Sequence, residues 1–120
     1  MRFILEQGFT VKVGKEEAFQ QWLAEHEAEL AAAHPEGSRY LGTFVVIFTS
    51  EKQSGSYRTL VELDSYAALD AGAAASKDPN GEFGKLGREM SKFGDYDLSA
   101  PWSNSLYKAV VDATIIDPQT

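Results

Sequence analysis

Residues 39–63, RYLGTFVVIFT-SEKQSGS-YRTLVEL, decide the fold. The first eleven are rich in β-branched and aromatic side chains, and the last seven alternate Tyr57, Thr59, Val61 and Leu63 against Arg58, Leu60 and Glu62; both patterns belong to strands. The polar connection over 50–56, with Gly55, makes the pair an antiparallel hairpin. Residues 39–49 are apolar on both parities, with Tyr40, Phe44, Val46 and Phe48 on one side and Leu41, Val45 and Ile47 on the other, so this strand is expected to be covered on both faces.

On the N-terminal side the spacing changes. Over 15–34, Phe19, Trp22, Leu23, His26, Leu30 and Ala33 fall on one helical stripe, and Glu16, Gln20, Glu27 and Ala31 point away from it. Pro35 and Gly37 end this amphipathic helix. Before it, residues 2–13 place Phe3, Leu5, Phe9, Val11 and Val13 on one parity and Ile4, Glu6, Thr10 and Lys12 on the other, the pattern of a strand with unlike faces, ended by Gly14.

On the C-terminal side, Asp64 or Ser65 is placed to cap a helix over 66–74, and 77–81, Lys-Asp-Pro-Asn-Gly, breaks it. A further helix over 82–93 puts Phe83, Leu86, Met90 and Phe93 on one face together with Gly87 and Gly94, which predicts a close approach of helix to sheet. An irregular loop over 95–103 holds Tyr96, Pro101 and Trp102, and 104–113 is the last strand, with Leu106, Val110 and Val111 apolar. The series β-α-β-β-α-β is the split βαβ pattern of ferredoxin-like α+β domains, an antiparallel four-stranded sheet with its helices on one face.

The 120 residues suit one domain, 1–120. A net charge of -7 with no concentrated basic window argues against a nucleic-acid partner. The absence of cysteine removes disulfides, thiolate metal sites and cysteine nucleophiles, and fits a reducing compartment. Glu6 interrupts the first apolar run, and the most apolar stretch, 41–48, covers roughly eight residues against the ~20 of a membrane helix. A soluble, cytoplasmic protein with no membrane partner is expected.

With both helices on one sheet face, the apolar opposite face needs a cover, and a second copy of the chain supplies it. In element order and strand patterning the chain resembles the dimeric α/β-barrel superfamily, which includes antibiotic-biosynthesis monooxygenases and the EthD-like and NIPSNAP-like proteins. The resemblance implies a homodimer with a pocket between each sheet and its helices. It also implies, as one activity, cofactor-independent oxygenation or isomerisation of an aromatic or polyketide-like compound.

Several residues bear on such a site. His26 lies on the inner stripe of the first helix, where an imidazole is either an acid or base near neutral pH or a hydrogen-bonded core residue. His34 at the helix end suits a partner of the helix dipole. Glu25, His26 and Glu29 have metal-compatible spacing, but they belong to a helix rich in solvated glutamates, so no metal is expected. Arg58 and Glu62 share a strand face, as do Glu6 and Lys12, and buried charges need partners or a ligand. Trp22, Tyr40, Tyr57, Trp102 and Tyr107 are either an aromatic wall for a flat substrate or core.

In an enzyme of the kind the resemblance implies, His26 would move a proton, Arg58 would stabilise enolate or phenolate charge, and Trp22, Tyr57 and Trp102 would hold the ring, with Tyr40, Glu62 and Tyr107 as further substrate contacts. Gly81, Gly84 and Gly87 lack the context of a phosphate loop, and Gly-x-Ser-x-Gly is absent; no cofactor is expected. The competing reading is a non-catalytic structural or interaction protein of the same fold.

Overall fold

The computed structural model describes residues 2–49, 56–95 and 102–111. Seven elements run in the order β1 (Phe3–Phe9), α1 (Glu16–Ala33), β2 (Ser38–Val45), β3 (Tyr57–Leu63), α2 (Ala68–Lys77), α3 (Glu82–Ser91) and β4 (Trp102–Lys108). The sheet order is β2-β3-β1-β4, with every neighbouring pair antiparallel, as the ferredoxin-like reading requires. No helix among the described residues is long and apolar enough to cross a membrane.

The alternation read in β3 is realised: Tyr57, Thr59, Val61 and Leu63 are buried and Arg58, Leu60 and Glu62 half-buried. β2 departs from simple alternation. Tyr40 stands opposite Val61 and Gly42 opposite Leu60, so Leu41 is an extra residue, a β-bulge. Tyr40 and Phe44, expected on one face, therefore lie on opposite faces, Tyr40 towards the helices and Phe44 beside Arg58. Gly42 takes φ 144° at the bulge, a conformation that favours glycine, and a Cβ there would stand 3.0 Å from the Phe44 ring.

Other boundaries shift for local reasons. β1 stops at Phe9, and the chain continues through a single bridge from Val11 to Gly94 before turning into α1; Val13, expected inside, is 92% exposed. Ile47 and Phe48 lie beyond the end of β2 and are exposed. Neither Asp64 nor Ser65 caps α2 with its side chain; backbone bonds from Ala68 N–H to Ser65 O and from Leu69 N–H to Tyr66 O start it instead. Trp102, expected in a loop, opens β4 opposite Phe9, while Val110 and Val111 follow the strand and are exposed. Tyr96, Pro101 and the side chain of Trp102 lie outside the described residues.

Two apolar clusters fill the space between sheet and helices. One joins Phe3, Val61, Leu63 and Ala68, packed by Leu5 and Leu69; the other joins Phe9, Val11, Phe19 and Tyr57, packed by Leu23, Met90 and Phe93. In the second, Phe19 meets Tyr57, Phe9 and Phe93 edge-on at 5.0, 5.6 and 5.6 Å, a favourable aromatic geometry.

The close approach predicted at Gly87 occurs at Gly84. A Cβ on Gly84 would lie 2.9 Å from the Asp78 carbonyl oxygen and 3.0 Å from that of Ser76, whereas nothing stands within 4 Å of one on Gly87. The Gly84 contact thus joins α3 to the end of α2, while Gly94, the other glycine expected to approach the sheet, is buried and bridges Val11 just beyond β1. Gly84→Ala should destabilise the protein by about 1–3 kcal/mol, because backbone atoms cannot yield, and Gly87→Ala should stabilise it by about 0.5–1 kcal/mol through helix propensity. Urea denaturation of the two variants checks both signs.

Candidate functional site

A cavity of about 550 Å³ lies between the helix-side face of the sheet and the helices, within the ~300–1,000 Å³ range of small-molecule sites. Leu5, Val61, Leu63 and Leu106 form its floor. Its wall is the inner face of α2, where Ala68, Gly72 and Ser76, four residues apart, stand beside Leu69 and Ala73. Small side chains on that face leave the volume unfilled. Phe83 of α3 and the corner between α1 and β2, His34 and Pro35, close one end.

Gln7 and Asn104 bring polarity to the floor, and they belong to a row that crosses the whole sheet. Thr43 of β2 stands opposite Thr59 of β3, Thr59 opposite Gln7 of β1, and Gln7 opposite Asn104 of β4. The row separates the two apolar clusters. Thr59 is buried, and its hydroxyl lies 3.0 Å from that of Thr43. The Thr43 hydroxyl is 2.6 Å from Tyr40 Oη, which donates to Glu27 Oε2 at 2.7 Å. A phenol has one proton; with that proton on Glu27, Thr43 donates to Tyr40 and Thr59 to Thr43, so the chain has a fixed direction ending at a carboxylate. Burial is the main cause raising the Tyr40 pKa above the ordinary phenol value, and it keeps the ring neutral.

His34 is the one imidazole among the described residues that line the cavity. Its Nδ1 lies 2.8 Å from the Leu30 carbonyl oxygen, and a carbonyl only accepts, so Nδ1 carries the proton and Nε2 keeps a lone pair. The ring meets Phe83 edge-on at 4.6 Å and Tyr40 at 5.5 Å. Burial lowers its pKa from 6.5, against the opposing effect of the Leu30 bond. His34 is therefore a neutral imidazole at pH 7, able to accept a proton through Nε2.

The residues singled out from sequence are distributed elsewhere. His26 stacks on Trp22 at 4.8 Å and hydrogen-bonds its carbonyl at 2.8 Å through Nδ1. Trp22 donates to Glu89 of α3 over 3.5 Å, so this pair lies at the seam of α1 and α3. Tyr57 stacks on Phe9 in the second cluster and accepts a bond from Gln20. Arg58, Glu62 and Tyr107 occupy the helix-free face. There Arg58 donates to Ser56 Oγ at 2.7 Å and Tyr57 O at 3.0 Å. The register puts Arg39 directly opposite Glu62, and Glu62 bonds Arg39 at 3.0 Å and Arg2 at 2.9 Å. Tyr107 donates to Glu6 at 3.2 Å.

None of His26, Arg58, Trp22, Tyr40, Tyr57, Glu62 or Tyr107 lines this cavity. Sequence reasoning missed Gln7, although it is a polar residue on the apolar parity of Leu5 and Phe9. It read His34 only as a helix-end residue, which its Leu30 bond also makes it. Among the described residues no group of His, Asp and Glu could hold a metal ion.

The architecture matches solved structures at low identity. A NIPSNAP family protein from Agrobacterium tumefaciens str. C58 shares 12% identity at a TM-score of 0.66, over 98% of this chain and 100% of that one. A candidate antibiotic biosynthesis monooxygenase from Caulobacter crescentus CB15 shares 18% at 0.57, over 92% and 91%. SnoaB, a cofactor-independent oxygenase from Streptomyces nogalater, shares 16% at 0.54, over 97% and 98%. No protein-family model and no curated protein matches the chain. The fold these structures share with the chain is ferredoxin-like: an antiparallel four-stranded sheet with its helices on one face.

Because burial lowers the His34 pKa, the unfolded chain takes up a proton that the folded chain resists. The burial leaves stability untouched above the ordinary value of 6.5 and reduces it as the pH falls from there through the lower folded value. Between pH 7.5 and 5.5 the urea midpoint should fall in the native protein and fall less in His34→Gln. Equal slopes would remove the effect.

Proposed function

We propose that the chain binds an aromatic or polyketide-like small molecule in the cavity beside His34 and oxygenates it without a cofactor, as one subunit of a homodimer. The observation that carries this reading is a neutral imidazole with a free acceptor nitrogen on the wall of an otherwise largely apolar cavity of about 550 Å³. The fold shared with a cofactor-independent oxygenase supports it.

His34 takes the proton-moving role that sequence reasoning gave to His26. Its Nε2 accepts a proton from an enol, phenol or activated methylene, and the Gln7 and Asn104 amides hold the oxygen that gains charge. The carbanion or enolate donates electrons to O2 and forms a C–O bond. Loss of water from the hydroperoxide then converts the methylene to a carbonyl: both hydrogens leave with one oxygen atom, the other stays, and the substrate supplies all four electrons.

The helix-free face suits a second copy. Phe44 is 52% exposed and Tyr107 51% exposed, with half-buried Ile4 and Leu60 between them. This apolar part of the face lies beside the paired charges of Arg2, Arg39 and Glu62, and an exposed apolar patch rimmed by polar groups marks an association surface.

Anthrone is a suitable test substrate, with one methylene to lose and no charge. Stoichiometric O2 uptake in the presence of a chelator, reduced about 10²-fold in His34→Gln with binding preserved, is the expected result. Saturable binding without O2 uptake would assign the chain to the non-catalytic reading. Light scattering should give a dimer that Phe44→Glu converts to monomer.

A further inference from the structure

The helices around the cavity carry many charges, yet the described residues that line it, Leu5, Gln7, His34, Phe83 and Asn104 among them, include no Asp, Glu, Lys or Arg. Asp70, Lys77, Glu82, Lys85 and Arg88 of α2 and α3 are all exposed on outer faces. On the sheet, Arg39, Arg58 and Glu62 point to the helix-free face by register. Gln7 and Asn104 stand at the solvent-exposed side of the cavity; a ligand carboxylate, phosphate or ammonium seated against its apolar floor would give up part of its hydration and meet no counter-charge among the described lining residues.

Of the polar side chains that line the cavity, Ser38 and Ser76 donate to the backbone carbonyls of Pro35 and Ala73 and Tyr66 is an exposed ring at the rim, whereas the two amides form a pair on the sheet. Gln7 and Asn104 stand directly opposite each other on β1 and β4, with Cα atoms about 4.5–5.5 Å apart. Each amide offers a donor and an acceptor. Thr59, next in the row, is committed to Thr43.

We infer that the cavity selects uncharged ligands and that the Gln7–Asn104 pair determines specificity by reading a hydroxyl or carbonyl on an otherwise apolar body. The inference rests on the cavity being the ligand site and adds the chemical class it accepts. His34 belongs to the same selection: as a neutral imidazole it provides no fixed positive charge for an anion and accepts from a hydroxyl through Nε2.

Naphthalene, 2-naphthol and 2-naphthoate share one ring system and differ in the group presented. Titrated into the full chain at pH 7.5 and followed by ligand fluorescence, 2-naphthol should bind about 3–10-fold more tightly than naphthalene and at least tenfold more tightly than 2-naphthoate. The Gln7→Leu/Asn104→Leu double variant should bring 2-naphthol to the level of naphthalene. Ala73→Arg, an exposed lining position on α2, should raise 2-naphthoate affinity about 2–5-fold by supplying the missing cation. Binding of 2-naphthoate within threefold of 2-naphthol in the native chain would overturn the selection, and an undiminished naphthol preference in the double variant would overturn the role of the amides. In both cases the cavity remains a binding site. Failure of all three compounds to bind would overturn the cavity reading itself, and this inference with it.

Discussion

A hydroxyl buried in the middle of an apolar layer must be hydrogen-bonded, and Thr59 sits at that point on the helix-side face. Its requirement orders much of what surrounds it. Thr43 meets it across the hairpin, Tyr40 meets Thr43, and Glu27 reaches down from α1 to end the chain. Tyr40 and Thr43 lie three residues apart, yet both face the helices, which simple alternation forbids. The bulge at Leu41 resolves the conflict. One polar chain therefore ties the register of β2 to the position of α1 and divides the interior into two apolar clusters.

Much of this fold is legible in the residues. Strict alternation over Tyr57–Leu63 gives β3 its bounds, and the stripe from Phe19 to Leu30 gives α1 its buried side. Glycine and proline punctuation separates α2 from α3. The bulge is not legible, because Leu41 and Gly42 continue an apolar run that fits a regular strand; only the partner strand reveals the extra residue. Likewise Gly84 and Gly87 share a helix three residues apart, and only the position of the 76–78 carbonyls distinguishes the crowded one from the open one.

The candidate site is less legible for a physical reason. A cavity is defined by what side chains fail to fill, and the small inner residues of α2 look in sequence like ordinary helix formers. Aromatic and charged residues attract notice, but Trp22 and Tyr57 consolidate packing, and Arg39 and Glu62 neutralise each other on the far face. The informative residue is Gln7, a polar side chain on an inward parity. Periodicity identifies the anomaly, whereas its meaning depends on Asn104, which lies on a distant strand.

The sheet order has a consequence for how the chain reaches this state. β1 is central, yet both its neighbours are remote: Phe3 pairs with Leu63 on one side and Lys108 on the other. During synthesis β1 emerges long before either partner, with both backbone edges unsatisfied, while the hairpin of β2 and β3 closes locally. Such non-local pairing slows folding and lengthens exposure to mispairing. The contact between Phe9 and Phe19, across the short connection from β1 to α1, is the most local in sequence of the ring contacts that cover the strand.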